Sequence, residues 1–299
     1  MIAARWPHAL TLIAGLAFAG PAFGRCEDVV PAQKPQNTFA QDIGRDFDRI
    51  IEEGWIEFAV YEDFAPWSFE DDGKPKGIDI DIGTLIAKDL GVEPRFRLVQ
   101  ADETLDGDLR NYVWKGAIVG GRVSDVMLHV PYDSILKCRI EQVVFTGQYA
   151  VEALAFGFAQ DTYPDDPPTP AYFRFDTVAA ENDSISDFYL ASFGRGAAGQ
   201  NIKRYGTSQE AVRAMVAGET MAVMAPQAII ETHIPKGFKL HRPAFPGLIR
   251  STWPIGVAVN HQHRDLGYAV DYAIEKAIAQ GQIAAIFERH GVSYMPADR

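Results

Sequence analysis

The sequence has few of the residues on which several classes of protein depend. Only two cysteines occur among 299 residues, too few for a disulfide scaffold or a four-thiolate zinc site. The seven histidines show no HExxH or other metal-ligand spacing. Lysine and arginine number 28 against 40 aspartates and glutamates, so the chain lacks the basic stripe that nucleic-acid binding requires. We expect neither a bound metal nor a nucleic-acid partner.

Long hydrophobic runs are also missing. The run at residues 10–20 has 11 residues, whereas a membrane span needs about 20. Arg5 precedes this run and small residues follow at 21–24, a pattern typical of a signal peptide that ends after Gly24. We therefore predict a soluble periplasmic protein, in which Cys26 and Cys138 either pair or remain free thiols.

The remaining sequence has the composition of a globular protein and the alternation of predicted strands and helices that is typical of an α/β fold. It is 47% apolar and 23% charged, and from Trp55 onward apolar strands alternate with amphipathic helical patterns. Residues 25–54 are polar and predict an extended arm followed by a short helix at about 39–53. Predicted strands cover residues 56–61, 94–99, 124–130, 150–158, 177–180, 221–225 and 253–260, and predicted helices cover 80–90, 106–116, 186–193, 209–217 and 264–289 with a break at Gly281.

Three segments near the start of this body carry a family resemblance. The motif FAPWSF at 64–69 is followed by DDGKPKGIDIDI at 71–82 and IAKDLG at 86–91. Together they resemble the opening of type 2 periplasmic solute-binding proteins of the polar-amino-acid branch. Shorter likenesses follow at FTGQY (145–149), IGVAV (255–259) and AQGQI (279–283).

The resemblance implies a monomer with two α/β lobes joined by two crossing strands and a ligand held in the cleft between them. Lobe 1 is then expected at residues 55–150 with 252–299, and lobe 2 at 155–248. A binding protein of this kind acts without a catalytic cofactor and presents its ligand to an ABC permease.

The expected ligand is a small carboxylate-bearing molecule. Arg139 matches the arginine that clamps the ligand carboxylate in amino-acid binders, a task suited to a bidentate guanidinium. Those binders also carry an acid for the ligand ammonium where this chain has Ala225, Pro226 and Gln227, which disfavours an ordinary α-amino acid. Short motifs such as VPYD at 130–133 resemble binding proteins associated with methanol dehydrogenases that use pyrroloquinoline quinone (PQQ). We therefore expect PQQ, a planar polycarboxylate, as ligand and a quinoprotein dehydrogenase as a further candidate partner.

Most candidate binding residues lie at the end of a predicted strand or at the start of a predicted helix, where ligands of such folds bind, whereas Trp114 and Arg139 are candidates through the family resemblance. Each also has an ordinary structural alternative. The aromatic residues can pack in the core, His129 can be a half-buried structural histidine, Arg139 can form an ion pair, and the serines can cap a helix. The predicted ligand-binding residues are Phe64, Trp67, Trp114, His129, Tyr132, Asp133, Arg139, Ser184 and Ser186.

Two other classes of function remain open. One is a periplasmic cyclohexadienyl dehydratase, which shares the two-lobed cleft and would need a general acid and base; Asp133, His129 and Glu181 are the candidates. The other is an interaction module that docks on a dehydrogenase and transports nothing.

Overall fold

The computed structural model describes residues 43–118, 121–132 and 134–298. The predicted signal peptide, the predicted arm up to residue 42, Cys26 and Asp133 lie outside the described residues. Cys138 is disulfide-bonded. No helix in the described part of the chain is both long and apolar enough to cross a membrane.

The described residues form alternating strands and helices around one mixed sheet. The strands are β1 Trp55–Tyr61, β2 Phe69–Asp71, β3 Lys74–Lys76, β4 Glu93–Val99, β5 Val126–Pro131, β6 Val143–Ala159, β7 Val178–Glu181, β8 Ile202–Tyr205, β9 Ala222–Pro226, β10 Phe238–His241 and β11 Thr252–Asn260. The helices are α1 Phe47–Glu53, α2 Ile78–Leu90, α3 Leu105–Leu109, α4 Ser134–Arg139, α5 Ile185–Ser192, α6 Ser208–Val216, α7 Gln227–His233, α8 Arg264–Ala279 and α9 Gln282–Arg289. A π-helical turn at Arg110–Trp114 continues α3, and β2 and β3 form a separate hairpin.

The main sheet has two halves that share its longest strand. The strand order is β4-β1-β5-β11-β6-β9-β7-β8, with β10 paired to the end of β6. In the first half-sheet β1 lies parallel to β4 and β5, and in the second half-sheet β7 lies parallel to β8 and β9. Strand β11 is antiparallel to both β5 and β6, and β6 is antiparallel to β9. Each half-sheet has the parallel βαβ construction that leaves a crevice at the carboxyl ends of its strands.

Strand β6 joins the two halves. Its residues 143–153 pair with β11, and its residues 154–159 pair with β9 and β10. Separate hydrophobic clusters form on the two half-sheets, one around Ile82 and Ile274 and another around Phe156 and Leu190. The region near residue 152 therefore lies where the two cores meet.

Glycine 77 fixes the start of α2 against the loop that follows β1. Its φ angle is +126°, which L side chains rarely adopt, and a Cβ built there would lie 2.2 Å from the Trp67 carbonyl oxygen. That carbonyl accepts the backbone N–H of Asp79 at 2.9 Å. The close approach sets the position of Asp79, which matters for the site described below.

We expect Gly77→Ala to lower the free energy of unfolding by about 2–4 kcal/mol, because the new Cβ adds backbone strain and forces the two segments apart. Urea denaturation measures the change. The matched control is Gly237→Ala, where φ is +98° and a Cβ meets no atom within 4 Å, so that only about 1 kcal/mol should be lost. Equal losses in the two variants would show that the contact with Trp67 is unimportant.

Candidate functional site

A cavity of about 450 Å³ lies between the half-sheets at the carboxyl ends of β1, β5 and β9. This is the position at which open α/β sheets bind ligands. Strand β6 and the start of β11 complete its wall. The lining residues are Tyr61, Glu62, Asp63, Phe64, Ala101, Leu105, Asp108, His129, Pro131, Glu152, Pro226 and Trp253.

The lining of this cavity is acidic. Four of its residues are carboxylic acids, namely Glu62, Asp63, Asp108 and Glu152, and the described lining contains no lysine or arginine. His129 is the cavity's titratable nitrogen base. Such a surface attracts cations and repels polycarboxylates.

His129 lies at the base of the cavity between two buried carboxylates. Its Nδ1 is 3.3 Å from Asp79 Oδ2 and its Nε2 is 3.4 Å from Glu152 Oε2. The Tyr149 hydroxyl donates to Asp79 Oδ1 at 2.7 Å and accepts the backbone N–H of His129 at 3.0 Å. All four residues are buried. We call Asp79, His129, Tyr149 and Glu152 the buried charge cluster.

The cluster keeps its imidazole protonated. Burial lowers the pKa of His129, but the carboxylates of Asp79 and Glu152 outweigh this effect and raise it to about 9. Burial, together with the charge of Asp79, raises the pKa of Tyr149 well above its ordinary value. One imidazolium between two carboxylates leaves the cluster with a net negative charge beside the cavity.

Aromatic rings enclose the imidazole. Phe64 meets His129 edge to face at a centroid separation of 4.9 Å, and Trp67 does so at 4.4 Å. Trp253 packs against the cores of both half-sheets and lines the cavity. The site thus combines flat apolar faces with negative charge, the combination that binds organic cations.

Asp108 provides a second buried acid on the wall of the cavity. Its Oδ2 accepts the Tyr61 hydroxyl at 2.8 Å and its Oδ1 accepts the Asp102 backbone N–H at 2.7 Å. Burial raises the pKa of Asp108, partly offset by these hydrogen bonds. The two bonds fix the direction of the carboxyl group.

Two of the predicted binding residues, Phe64 and His129, line the cavity. Trp67 lies behind them, 1% exposed, with its ring against His129. Trp114 packs at the end of the π-helical turn against the hydrophobic cluster of β1, β5 and β11. Tyr132 lies in a separate groove beside Asp271.

Arg139 does not reach the cavity. It ends α4 with a largely exposed side chain, and its Nη2 pairs with Asp106 Oδ1 at 2.6 Å. The structure therefore contains the ion pair that the sequence analysis gave as the alternative role of Arg139. The positively charged pocket expected from Arg139 is not present among the described lining residues, which are acidic instead.

Ser184 and Ser186 are part of the start of α5. The Ser184 hydroxyl accepts the Asp187 backbone N–H at 3.2 Å and donates to the Glu181 carbonyl at 2.7 Å, so it caps the helix. Ser186 is buried within the first turn. Asp187 already supplies a carboxylate there and pairs with Arg204 at 2.8 Å. Neither serine is among the residues that line the cavity.

Sequence reasoning missed all four acids that line the cavity. Glu152 carried a usable signal, because it is the single charged residue in the otherwise uncharged stretch 143–159, and buried acids are rare unless they are paired. Glu62, Asp63 and Asp108 lie in polar surroundings that resemble ordinary loops and helix starts. Their convergence depends on the fold.

Comparison with protein families gives a match over part of this chain. A model of bacterial extracellular solute-binding proteins, family 3, matches residues 56–112. This stretch contains three of the four cavity acids, Glu62, Asp63 and Asp108. No curated protein sequence gives a significant match.

Solved structures match over most of the chain. An ancestral cationic amino acid solute binding protein has 19% identity and a TM-score of 0.68 over 82% of this chain and 99% of its own; a second structure of it, described as a precursor of cyclohexadienyl dehydratase, has 19% identity and a TM-score of 0.59 over 82% and 98%. An amino acid ABC transporter substrate-binding protein from Streptococcus pneumoniae, bound to L-arginine, has 19% identity and a TM-score of 0.59 over 84% and 99%. The L-cystine solute receptor of Neisseria gonorrhoeae, in an unliganded open conformation, has 16% identity and a TM-score of 0.60 over 85% and 100%.

These likenesses confirm the predicted fold class. The chain has the two-lobed α/β fold of the type 2 periplasmic binding proteins.

Proposed function

We propose that this chain is an exported solute-binding protein that captures a small organic cation in the cleft between its half-sheets and presents it to an ABC permease. The observation that carries the proposal is the cavity of about 450 Å³ with four carboxylic acids and no lysine or arginine in its described lining. The match to extracellular solute-binding proteins over residues 56–112 and the two-lobed fold support the binding role.

The solved structures support a cationic ligand in a second way. One is named as a binder of cationic amino acids, and another holds L-arginine. Ligands of this charge suit the acid-lined cavity of this chain. The described lining offers no guanidinium for a ligand carboxylate, so the cationic group should dominate the affinity.

The cavity argues against an anionic ligand. PQQ, expected from the sequence, carries several carboxylates that would face Glu62, Asp108 and Glu152, and the one imidazolium in the lining, His129, already lies between two carboxylates; like charges at short range are costly. Neither the family model nor the structures described above connects the chain to PQQ or to a quinoprotein dehydrogenase. In the binding test below, PQQ is therefore a compound that we expect not to bind.

Titration calorimetry of the purified chain tests the charge preference. L-arginine, L-lysine, agmatine and spermidine form the cationic set, and PQQ, L-glutamate and succinate form the anionic set. We expect micromolar or tighter binding of at least one cation and no detectable binding of the anions, with cation affinity falling as salt is added. Binding of an anion more tightly than every cation would refute the proposal.

A dehydratase remains the enzymatic alternative because His129 and Glu152 form an acid–base pair beside the cavity. Prephenate, the dicarboxylate substrate of such enzymes, meets the same repulsion as PQQ. Incubation of the chain with prephenate and arogenate, followed by product detection, separates the two functions. Turnover of either substrate would replace the binding role by a catalytic one.

A further inference from the structure

Three buried polar atoms belong to residues that line one small cavity next to the ligand cleft. They are Trp67 Nε1, Glu152 Oε1 and Gln227 Oε1, and none of them has a hydrogen-bond partner among the described residues. The three residues, which are 1%, 4% and 5% exposed, all line a cavity of about 10 Å³. This volume is about what one water molecule needs.

The chemistry of the three atoms restricts the occupant. The indole N–H of Trp67 can only donate, whereas the carboxylate oxygen of Glu152 can only accept. The amide of Gln227 is oriented by its Nε2, which donates to Glu231 Oε1 at 2.8 Å, so that its Oε1 is left as a second buried acceptor. The occupant must therefore accept one hydrogen bond and donate two.

We propose that an ordered water molecule occupies this cavity and joins Trp67, Glu152 and Gln227. It accepts the indole N–H of Trp67 and donates to Glu152 Oε1 and Gln227 Oε1. Three hydrogen bonds are the usual number for a buried water. A metal cation cannot accept from the indole, a chloride ion cannot donate to the carboxylate, and an ammonium ion cannot accept, so water is the species that satisfies all three atoms.

The position of this water places it between residues of both half-sheets. Trp67 follows β1 in the first half-sheet, Gln227 begins α7 after β9 in the second, and Glu152 lies on the strand that runs through both. Glu152 also lines the ligand cavity and contacts His129 through its other oxygen. Glu231, which accepts the Gln227 side-chain N–H with one oxygen, accepts the backbone N–H of Ser293 with the other at 2.8 Å. The water thus completes a polar connection from the buried charge cluster to helix α7.

A crystal structure at high resolution and a count of long-lived internal waters by magnetic relaxation dispersion test the proposal. We expect a density peak within about 3.2 Å of the three atoms. We also expect one internal water fewer in Gln227→Met, which removes an acceptor while approximately keeping the side-chain volume. This variant should lower Tm by about 4–8 °C, because it loses both the bond from the water and the bond from Nε2 to Glu231 Oε1, each worth about 2–4 °C in a chain of this size.

The matched control is Gln280→Met, at an exposed position after α8, which should change neither the water count nor Tm. The proposal is overturned if no density appears between the three atoms, if the occupant refines as an ion, if Glu152 Oε1 and Gln227 Oε1 pair directly with protein atoms, or if Gln227→Met retains the wild-type water count. None of these outcomes depends on the identity of the cleft ligand.

Discussion

His129→Asn should lower the free energy of unfolding at pH 7 by about 3–5 kcal/mol, the usual cost of removing one partner from a buried ion pair. The variant leaves the carboxylates of Asp79 and Glu152 buried without the imidazolium that lies 3.3 and 3.4 Å from them. Asparagine is the appropriate replacement because residue 129 has φ +59°, and asparagine tolerates this left-handed conformation better than most residues. Backbone strain at residue 129 should then contribute little to the difference in unfolding free energy between wild type and variant.

The same variant should change the pH dependence of stability. The pKa of His129 is about 9 in the folded chain against an ordinary value of 6.5, so its stabilising contribution is complete below pH 6.5 and is lost as the pH rises through 9. The wild type should thereby lose about 3 kcal/mol between pH 6.5 and 9.5, and the variant should lack this slope. The raised pKa of Tyr149 keeps that neighbouring hydroxyl protonated throughout the interval.

Urea denaturation of wild type and variant at four pH values from 6.5 to 9.5 measures both effects. His241→Asn is the matched control, since His241 lies on β10, outside the buried charge cluster. It should preserve the wild-type slope. If His129→Asn also preserves that slope, the imidazole is not protonated by its two carboxylates and the account of the cluster given above is wrong.

Helix α2 shows how much of the fold local sequence can predict. The apolar spacing from Ile80 to Leu90 and the glycine at 91 predicted a helix with a glycine C-cap, and Gly91 has φ +73° at that position. The break at Gly281 between α8 and α9 was equally predictable, with φ +70°. Such signals depend on periodicity and on backbone preference within a few residues.

Strand β6 shows where local sequence is insufficient. The prediction covered 150–158, but the strand begins at Val143. Its first part alternates between buried and partly exposed positions over 143–148, but it includes Gly147, which has φ +56°, coincides with a register shift against β11 and is typical of a turn in the local sequence. Pairing with β11, more than 100 residues away in the chain, maintains the strand through this irregularity. Tertiary pairing of this kind leaves little trace in the local pattern.

The binding site was harder to predict than the fold. Phe64 and His129 were found because Phe64 follows β1 and His129 lies near the end of β5, two strands whose carboxyl ends meet at the cleft. Arg139 was placed there by a motif, but helix α4 directs it toward Asp106 at the surface, and no local pattern determines that direction. The sign of the cavity's charge depends on four acids from three separate segments, and therefore on the complete fold.

Glu152→Gln should weaken binding of the preferred cation by about 10- to 100-fold, because a charge-assisted contact contributes roughly 1.5–3 kcal/mol. Glutamine keeps the shape of the side chain and removes its negative charge. Asp108→Asn should have a similar or smaller effect, since the Asp108 carboxylate already accepts hydrogen bonds from the Tyr61 hydroxyl and the Asp102 backbone N–H. Glu62→Gln, at a partly exposed position, should have the smallest effect because solvent screens its charge.

Calorimetry with the cation identified in the binding screen, at low and physiological salt, measures this series. Glu70→Gln is the matched control, because Glu70 is exposed on β2 and lies away from the cavity, and it should bind as the wild type does. Glu152 also contacts His129, so a loss confined to Glu152→Gln would have a structural explanation. If affinity falls in all three variants, and most at Glu152, the negative charge of the cavity is what binds the cation. If affinity is unchanged in all three variants, the cation binds elsewhere.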